Sequence, residues 1–464
     1  MPESSVIVLV ADGLRPDVFD EAVRAGEVPE LATLRDASGP NVVTTVFPSV
    51  TGMAYVPFLT GMHPAEAGLP GLRWYDRSRA VSALIGHARS YVGPQIRRID
   101  ADLSPAATTL YERVDGRALG VESVVTRGLP KRNQLDRGWR CAARVIHAHV
   151  TGDVARWSRL EQDLAGTLVA RVRRERPRFV FAAFTSGDKA THAGGTQHGG
   201  VRSSLRLIDH VAASIRRDAE ADGRWNAMHL WMVSDHGHSR VANHMDLAEE
   251  LRKLGVKVRA HPWTIPDPSE AAVMVSGNSM AHVYLGLEKG VRQPWPAMSA
   301  KWARRIEPLW SHPAIDLVAT KRSVTEVEVR RGSARGEISV GPRGICYRTL
   351  DGNPLGLDPF DNLCDDGAHE RTIESEYPDS VVQLARLALA ERSGDLVVSA
   401  SPGWDLRRRY EPIEHVSSHG ALHAAHMLVP LVGNRRFNER PRRTLDLHRL
   451  LAKDLGLESR RGHA

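Results

Sequence analysis

The stretch VIVLVADG at residues 6–13 decides the fold class of this chain. Its apolar run, residues 6–10, is typical of a strand that is buried on both faces of a parallel sheet. Similar apolar runs occupy residues 179–184 and 229–233. Helical patterns with one apolar face lie between them, over about 154–174 and 203–219. The alternation predicts an α/β fold with a mostly parallel central sheet flanked by helices.

Each of the three runs is followed directly by polar side chains that can bind a metal. Asp12 ends the first run, Asp188 and His192 follow the second within DKATH, and Asp235 and His236 follow the third within SDHG. The spacing of Asp188 and His192 places both on one face of a helical turn. Because ligands bind at the carboxyl ends of parallel strands, we expect these side chains to meet at one edge of the sheet.

Two further candidates lie outside these runs. Thr51 belongs to VTTVFPSVTGMAYVPFLTG, residues 43–61, between a strand-like segment and a predicted helix start. Pro57 predicts that this helix begins late or is kinked. A hydroxyl near a helix N-terminus lies beside N–H groups that favour an alkoxide and bind phosphate oxygens. His419 stands in VSSHG, close to His415, His423 and His426, and its selection rests largely on the resemblance described below.

The candidate residues suit a zinc site, although each also has an ordinary structural interpretation. An aspartate can start a turn or cap a helix, and a threonine can cap a helix. Adjacent Asp and His point apart on a regular strand, but Asp235 and His236 can converge in the tight turn that Gly237 permits. Three carboxylates with three imidazoles favour zinc, with manganese second.

The second half of the chain has a different texture. Short strand-like segments near residues 271–275, 282–287, 325–330 and 337–340 are separated by Gly- and Pro-containing turns. We interpret residues 255–375 as a smaller α+β insertion or cap, and residues 1–254 and 376–464 as the core. The end of the chain, residues 444–457, predicts an amphipathic helix.

Composition indicates the cellular compartment and limits the classes of binding partner. The 464 residues include three cysteines, Cys141, Cys346 and Cys364, without a disulfide or zinc spacing, so we predict a cytoplasmic protein. No stretch approaches the roughly 18 apolar residues that span a membrane. The formal charge of +7 could attract phosphate-bearing molecules or nucleic acid. Basic residues do not form one long block and aromatic content is only 6%, so nucleic-acid binding is not favoured.

Five motifs in order carry a resemblance to a known family. They are VADG at 10–13, the VFP…T…TG block at 46–61, DxxxH at 188–192, DHG at 235–237 and HG at 419–420. In this series the chain resembles the type I phosphodiesterase/nucleotide pyrophosphatase branch of the alkaline phosphatase superfamily. The resemblance implies an alkaline phosphatase-like core with two Zn²⁺, or Mn²⁺. It implies one metal held by Asp12, Asp235, His236 and Thr51, and the other by Asp188, His192 and His419.

The chain also departs from the family pattern near the nucleophile. Where the family usually reads TFPNHY, this chain reads TGMAY from Thr51. The asparagine that normally steadies a phosphoryl oxygen about twenty residues later has no counterpart, and LPGLRWYDR stands there at 69–77. We therefore predict that Arg73 or Trp74, together with Lys189, contacts the substrate.

The predicted activity is metal-dependent hydrolysis of a phosphodiester or pyrophosphate bond through a phospho-Thr51 intermediate. The expected substrate is a small phosphate ester or a nucleotide. A phosphomonoesterase or phosphonate hydrolase using the same site would fit the same residues. A basic nucleic-acid-binding protein without catalysis and a degenerate relative with structural metals are less favoured hypotheses.

Overall fold

The computed structural model describes residues 3–78, 88–260, 269–287, 290–407 and 414–457. The predicted insertion at 255–375 thus includes residues 261–268 and 288–289, which lie outside the described residues. In the described residues the strands are, in chain order, β1 (Ser5–Ala11), β2 (Asn41–Thr44), β3 (Arg73–Tyr75), β4 (Ala88–Ser90), β5 (Ala118–Val121), β6 (Phe179–Phe184), β7 (Met228–Val233), β8 (Ser239–His244), β9 (Val258–Arg259), β10 (Ala271–Ser276), β11 (Met280–Leu285), β12 (Ile315–Lys321), β13 (Glu326–Arg331), β14 (Ala334–Gly341), β15 (Gly344–Asp351), β16 (Phe360–Leu363), β17 (Leu396–Ala400), β18 (Gly403–Asp405), β19 (Ser417–Ser418) and β20 (Leu428–Gly433).

The α-helices of the same residues are α1 (Pro16–Arg24), α2 (Pro29–Ser38), α3 (Val56–Thr60), α4 (Ile99–Asp102), α5 (Leu110–Arg113), α6 (Trp139–Thr151), α7 (Val154–Glu175), α8 (Ser186–Gly194), α9 (Gly199–Ala221), α10 (Leu247–Lys253), α11 (Trp295–Trp310), α12 (Asp365–Thr372), α13 (Ser380–Ala388), α14 (Ala424–Met427) and α15 (Thr444–Asp454). Short 3₁₀ turns cover Pro94–Arg98, Lys131–Asn133 and Trp225–Ala227.

The central sheet has the strand order β2-β20-β7-β1-β6-β5. Strands β5, β6, β1 and β7 run parallel, as the apolar runs predict. Strand β20 pairs antiparallel with both β7 and β2, so the sheet is mostly but not wholly parallel. The exception has a simple cause: no long crossover helix separates His419 from β20, so β20 starts near the edge where β7 ends and runs back.

Alternate residues of β1 enter two different hydrophobic layers. Val6, Val8 and Val10 pack with side chains of α3 and α15 on one face of the sheet. Ile7 and Leu9 pack with α1, α2, α7 and α9 on the other. Because both faces are covered, the central strands are continuously apolar rather than alternating.

A second sheet has nine strands in the order β16-β15-β14-β13-β12-β17-β11-β10-β9. Its neighbours are antiparallel except for β9 and β10. It includes β17, residues 396–400, which follows the predicted insertion along the chain. The division into a core of 1–254 and 376–464 and an insertion of 255–375 remains a prediction. This sheet reaches the central one through the β10–β11 turn, where Asn278 bridges to His419 and the Ser279 N–H donates to the His419 carbonyl.

Candidate active site

Three parallel strands deliver their polar residues to one edge of the central sheet. Asp12 follows β1, Asp188 and His192 lie on the short helix after β6, and Asp235 and His236 follow β7. His419 arrives at the same edge ahead of β20, and all six side chains are buried. The structure therefore brings together the residues that sequence reasoning placed at strand ends.

The first cluster consists of Asp12, Asp235 and His236, with one ligand atom of each lying within 4.8 Å of the others. The Thr51 hydroxyl lies against it, with Oγ1 at 3.1 Å from Asp12 Oδ1 and 3.0 Å from His236 Nε2. His236 Nε2 is 3.4 Å from Asp12 Oδ1 and 3.5 Å from Asp235 Oδ2. The hydroxyl and the three ligand groups thus share one small space.

The second cluster consists of Asp188, His192, His238 and His419, again with ligand atoms within 4.8 Å of one another. Asp188 Oδ1 is 3.3 Å from His192 Nε2 and 3.7 Å from His419 Nε2. The rings of His236 and His419 stack with centroids 3.8 Å apart and planes 11° apart, so the two clusters adjoin.

In three histidines, a hydrogen bond at Nδ1 determines that the lone pair lies on Nε2 and faces the clusters. Each outer Nδ1 lies against a backbone carbonyl oxygen, which only accepts hydrogen bonds, so Nδ1 carries the hydrogen and Nε2 carries the lone pair. The pairs are His192 with Ser417 O at 2.8 Å, His419 with Ser49 O at 3.0 Å, and His236 with Gly237 O at 3.1 Å. Such an outer hydrogen bond is the usual support for a metal-binding histidine.

The buried carboxylates of the first cluster lack groups that would balance their charge. Among the residues that the structure describes, the fully buried Asp235 Oδ2 has no hydrogen-bond partner. Burial, with the nearby charge of Asp188, raises the pKa of Asp235 to about 8. Burial and the charge of Asp235 also raise the pKa of Asp12. Facing carboxylates and inward lone pairs repel one another, and divalent cations bound between them would remove that repulsion.

Asp188 differs from the other two carboxylates. Burial alone would raise its pKa, but Lys189 and His192 hold that pKa well below its ordinary value. Lys189 Nζ lies 2.7 Å from Asp188 Oδ2 while its side chain stays one-third exposed. The positively charged ammonium group of Lys189 therefore lies beside the second cluster.

The turn after β7 requires glycine for a reason that sequence reasoning did not give. A Cβ on Gly237 would lie 2.1 Å from the Ala425 carbonyl oxygen. A side chain is excluded here because the segment that precedes β20 passes close by, and not because the backbone angle is unusual. Asp235 and His236 do converge in this turn, as predicted.

The helix expected just after Thr51 begins later. It covers Val56–Thr60, with Pro57 in its first turn and Tyr55 as its N-cap, so Thr51 lies in the preceding turn. The late start agrees with the prediction from Pro57, and it separates Thr51 from the first N–H groups of the helix.

The segment that replaces the family asparagine is largely internal. Trp74 is fully buried, its indole N–H donates to Tyr91 Oη, and the Arg89 and Arg392 guanidinium groups lie over its ring. Trp74 therefore presents no exposed surface for a substrate contact. The buried Arg73 donates to the Val275 carbonyl, next to the turn that meets His419, so it supports the site from behind.

Two residues at the site were missed or undervalued from sequence. Tyr55 donates to Asp12 Oδ2 at 2.8 Å, and His238 Nε2 lies 2.8 Å from Asp188 Oδ1. Both contacts join distant parts of the chain, so no local pattern announces them. The only sequence signal for His238 was its place directly after DHG.

The described residues include no helix that is long and apolar enough to cross a membrane.

No curated protein matches the chain as a relative. The solved structures that share its alkaline phosphatase-like fold include three that represent two enzymes. Phosphonoacetate hydrolase from Sinorhizobium meliloti 1021, in complex with phosphonoacetate, is 16% identical with a TM-score of 0.59, over 98% of this chain and 96% of that chain.

The other two are ectonucleotide pyrophosphatase/phosphodiesterase 5 from two mammals. The murine protein, in an inactive form in complex with AMP, is 14% identical with a TM-score of 0.59, over 100% of this chain and 97% of that chain. The human protein is 14% identical with a TM-score of 0.60, over 98% and 96%.

Membership is shown by the sequence itself. The family model for type I phosphodiesterase/nucleotide pyrophosphatase matches residues 6–422, which include every predicted ligand from Asp12 to His419. The chain therefore belongs to the type I phosphodiesterase/nucleotide pyrophosphatase family and is a phosphoric ester hydrolase.

Proposed function

We propose that this protein hydrolyses a phosphodiester or pyrophosphate bond by way of a phosphorylated Thr51, with one divalent cation at each cluster. The observation that carries the proposal is the position of Thr51 Oγ1, 3.1 Å from Asp12 Oδ1 and 3.0 Å from His236 Nε2. A hydroxyl in hydrogen-bond reach of a carboxylate and an imidazole has the surroundings that activate a nucleophile, which supports the proposal.

The residues fit two first-row divalent cations. One would be held by Asp12, Asp235, His236 and the Thr51 oxygen, and the other by Asp188, His192 and His419. Nitrogen and oxygen ligands in these numbers favour zinc, with manganese second. When bound, the ions would supply Lewis acidity, which lowers the pKa of the hydroxyl and stabilises charge on the substrate oxygens.

The protein's own groups account for the covalent steps. Thr51 Oγ1 attacks phosphorus, a Thr51 O–P bond forms, and the bond from phosphorus to the leaving oxygen breaks. The Thr51 hydroxyl donates a hydrogen bond to Asp12 Oδ1 before attack, and its proton passes by way of this carboxylate to the leaving oxygen as the Thr51 O–P bond forms. Water then displaces Thr51 from phosphorus and restores the hydroxyl.

Lys189 is the candidate substrate contact that the geometry favours. Its ammonium group is held by Asp188 Oδ2 at 2.7 Å and its side chain is one-third exposed. Burial is outweighed by the charge of Asp188, which raises the pKa of Lys189, so the group stays cationic. A fixed cation beside the reacting centre would neutralise a phosphoryl oxygen.

A phosphonate hydrolase is the second candidate, because the fold match to a phosphonoacetate hydrolase covers nearly all of both chains. Rates measured side by side on bis-p-nitrophenyl phosphate, p-nitrophenyl phosphate and phosphonoacetate would separate diesterase, monoesterase and phosphonatase activity.

We also propose a cytoplasmic location, which the three free cysteines support.

Replacing the nucleophile tests the mechanism. Thr51→Ala should lower kcat on the preferred substrate by at least about 10³-fold, because the residue that forms the covalent intermediate is gone. Metal content, measured by inductively coupled plasma mass spectrometry, should stay near the wild-type value. Thr51→Ser is the matched control and should keep part of the activity. Near-wild-type turnover by Thr51→Ala would rule out the phospho-threonine mechanism.

A further inference from the structure

His238 occupies the middle of the second cluster. The residue follows Gly237 and its side chain has no exposed surface. Its ring contacts the rings of His192 and His419, with centroids 4.8 Å and 5.0 Å away. A Cβ on Gly13 would lie 2.8 Å from its Nε2, so the glycine of the VADG motif leaves the space that this ring fills.

The distances around Asp188 Oδ1 resemble those between ligands of one ion. His238 Nε2 lies 2.8 Å from this oxygen, His192 Nε2 lies 3.3 Å away and His419 Nε2 lies 3.7 Å away. Ligands at about 2.0–2.1 Å from a zinc ion, spread at right-angled to tetrahedral angles, are about 2.9–3.4 Å apart. Of the three imidazoles, His238 is the nearest to the carboxylate.

The outer side of His238 gives the direction of its lone pair. Ser417 Oγ donates its single hydrogen to the Ser239 carbonyl at 2.9 Å, so it can only accept from His238 Nδ1, which is 3.3 Å away. In the tautomer with the hydrogen on Nδ1, which this contact favours, the Nε2 lone pair faces Asp188 Oδ1. Two acceptors at 2.8 Å require a cation or a proton between them.

We propose that His238 is a fourth protein ligand of the divalent cation at the second cluster, beside Asp188, His192 and His419. This inference rests on the proposed function, which places a cation there. The ion would then be held by three imidazoles and one carboxylate, against one imidazole, two carboxylates and a hydroxyl at the first cluster. The second cluster should consequently keep its ion more tightly than a three-ligand site would.

The rival role for His238 is to position Asp188 through a proton on Nε2. Removing a hydrogen-bonding partner of a metal ligand typically weakens metal affinity 10- to 100-fold. Removing a ligand should weaken it by more than about 100-fold. His238→Gln separates the two roles, because its amide N–H can still donate to Asp188 and it nearly preserves the volume.

The experiment compares wild type, His238→Ala, His238→Gln and His415→Gln after chelator stripping. His415 is the matched control because its ring also stacks on His192, at 4.1 Å, while its Nδ1 accepts from Asn278 Nδ2 at 2.9 Å. Zn²⁺ affinity is measured by competition with a chromogenic chelator. Bound equivalents are counted by mass spectrometry, and Co²⁺-loaded protein is examined by visible absorption.

Wild type and His415→Gln should bind two equivalents with similar affinities. Both His238 variants should keep one equivalent, bind the other more than 100-fold more weakly, and show altered Co²⁺ bands. Affinity of His238→Gln within 100-fold of wild type at both sites would overturn the inference, as would equal losses in His415→Gln. Should His238→Ala not fold, His238→Gln decides alone. Wild-type protein that binds no divalent cation would instead overturn the proposed function itself.

Discussion

Tyr55 holds the first cluster from the side of the hydrophobic core. Its hydroxyl donates to Asp12 Oδ2, while Asp12 Oδ1 faces Thr51 and His236. The ring packs edge-on against Phe181 at 5.3 Å. Burial and the charge of Asp12 raise the pKa of Tyr55, so the hydroxyl remains a donor throughout the physiological range. One hydrogen bond thus fixes which carboxylate oxygen faces the nucleophile.

Tyr55→Phe should weaken Zn²⁺ binding at the first cluster 10- to 100-fold, because Asp12 loses the bond that orients it. The packing of the ring is retained, so the melting temperature should change little. Tyr111→Phe is the control, since its hydroxyl donates to Ser123 rather than to a cluster residue and lies in the same core. Unchanged metal affinity in Tyr55→Phe would mean that Asp12 is held by the cluster alone.

At the residue scale, sequence reasoning located the site but not its supports. Asp12, Asp188 and Asp235 could be found because each follows an apolar run, and the structure brings them together. Their binding roles remain predictions. Tyr55 could not be found, and the contact of His238 with Asp188 could not be predicted, because these contacts join residues 43 and 50 positions apart. Trp74 was chosen because it stands where the family pattern has an asparagine, and sequence position could not show that its side chain is buried.

The helix that carries Asp188 and His192 is anchored to its neighbour by a buried acid. Glu161 of α7 accepts hydrogen bonds from the backbone N–H and hydroxyl of Ser186, the first residue of α8. Burial raises the pKa of Glu161 to about 7, although the bonds from Ser186 oppose the rise. Glu122, the carboxylate that faces it, accepts from Thr185 Oγ1 at 2.7 Å, and burial and the charge of Glu161 raise its pKa as well.

Glu161→Gln should flatten the dependence of stability on pH. A folded-state pKa above the ordinary value means that the fold prefers the protonated carboxyl. That preference stabilises the protein below about pH 4.5 and is lost as pH rises through about 7. At pH 8 the uncharged amide should therefore be more stable than the carboxylate by on the order of 2 to 3 kcal/mol. Urea unfolding at pH 5 and pH 8 measures the difference. A larger wild-type advantage at pH 8 than at pH 5 would contradict it.

The helices were predicted accurately, because the spacing of apolar residues along the sequence identifies them. The helices expected over 154–174 and 203–219 are α7, Val154–Glu175, and α9, Gly199–Ala221. The C-terminal helix was also confirmed, as Thr444–Asp454. The direction of β20 could not be predicted, because apolar content does not distinguish a parallel from an antiparallel buried strand. The partnership of β17 with β11 and β12 depends on long-range pairing in the same way.

Across the whole molecule, the candidate site is the meeting point of both sheets. The β10–β11 turn touches His419, and Gly277 in that turn approaches His419 so closely that a Cβ would lie 3.0 Å from its Nδ1. The two clusters are buried and rich in charge. Without cations they place carboxylates and imidazole lone pairs against one another, which opposes the packing of the surrounding elements.

Stripping the metal should therefore lower the melting temperature by several degrees, and added Zn²⁺ should restore it. Ligand at 100 times its dissociation constant stabilises a protein by about 2.7 kcal/mol per site. Differential scanning calorimetry of stripped and reloaded protein measures the effect. Mg²⁺ is the control ion, since it favours an all-oxygen shell and should restore little. Equal melting temperatures with and without Zn²⁺ would show that the clusters are not metal sites.

The antiparallel strand β20 has a consequence for biosynthesis. It lies between β2 and β7, so the central sheet has a gap until residues 428–433 have been translated. His419 is made shortly before, about four hundred residues after Asp12. Until that segment has been made, a nascent chain on the ribosome exposes two unpaired strand edges and lacks the β20 side of the candidate site. Closure of the central sheet and completion of the candidate site therefore depend on one short segment, residues 419–433.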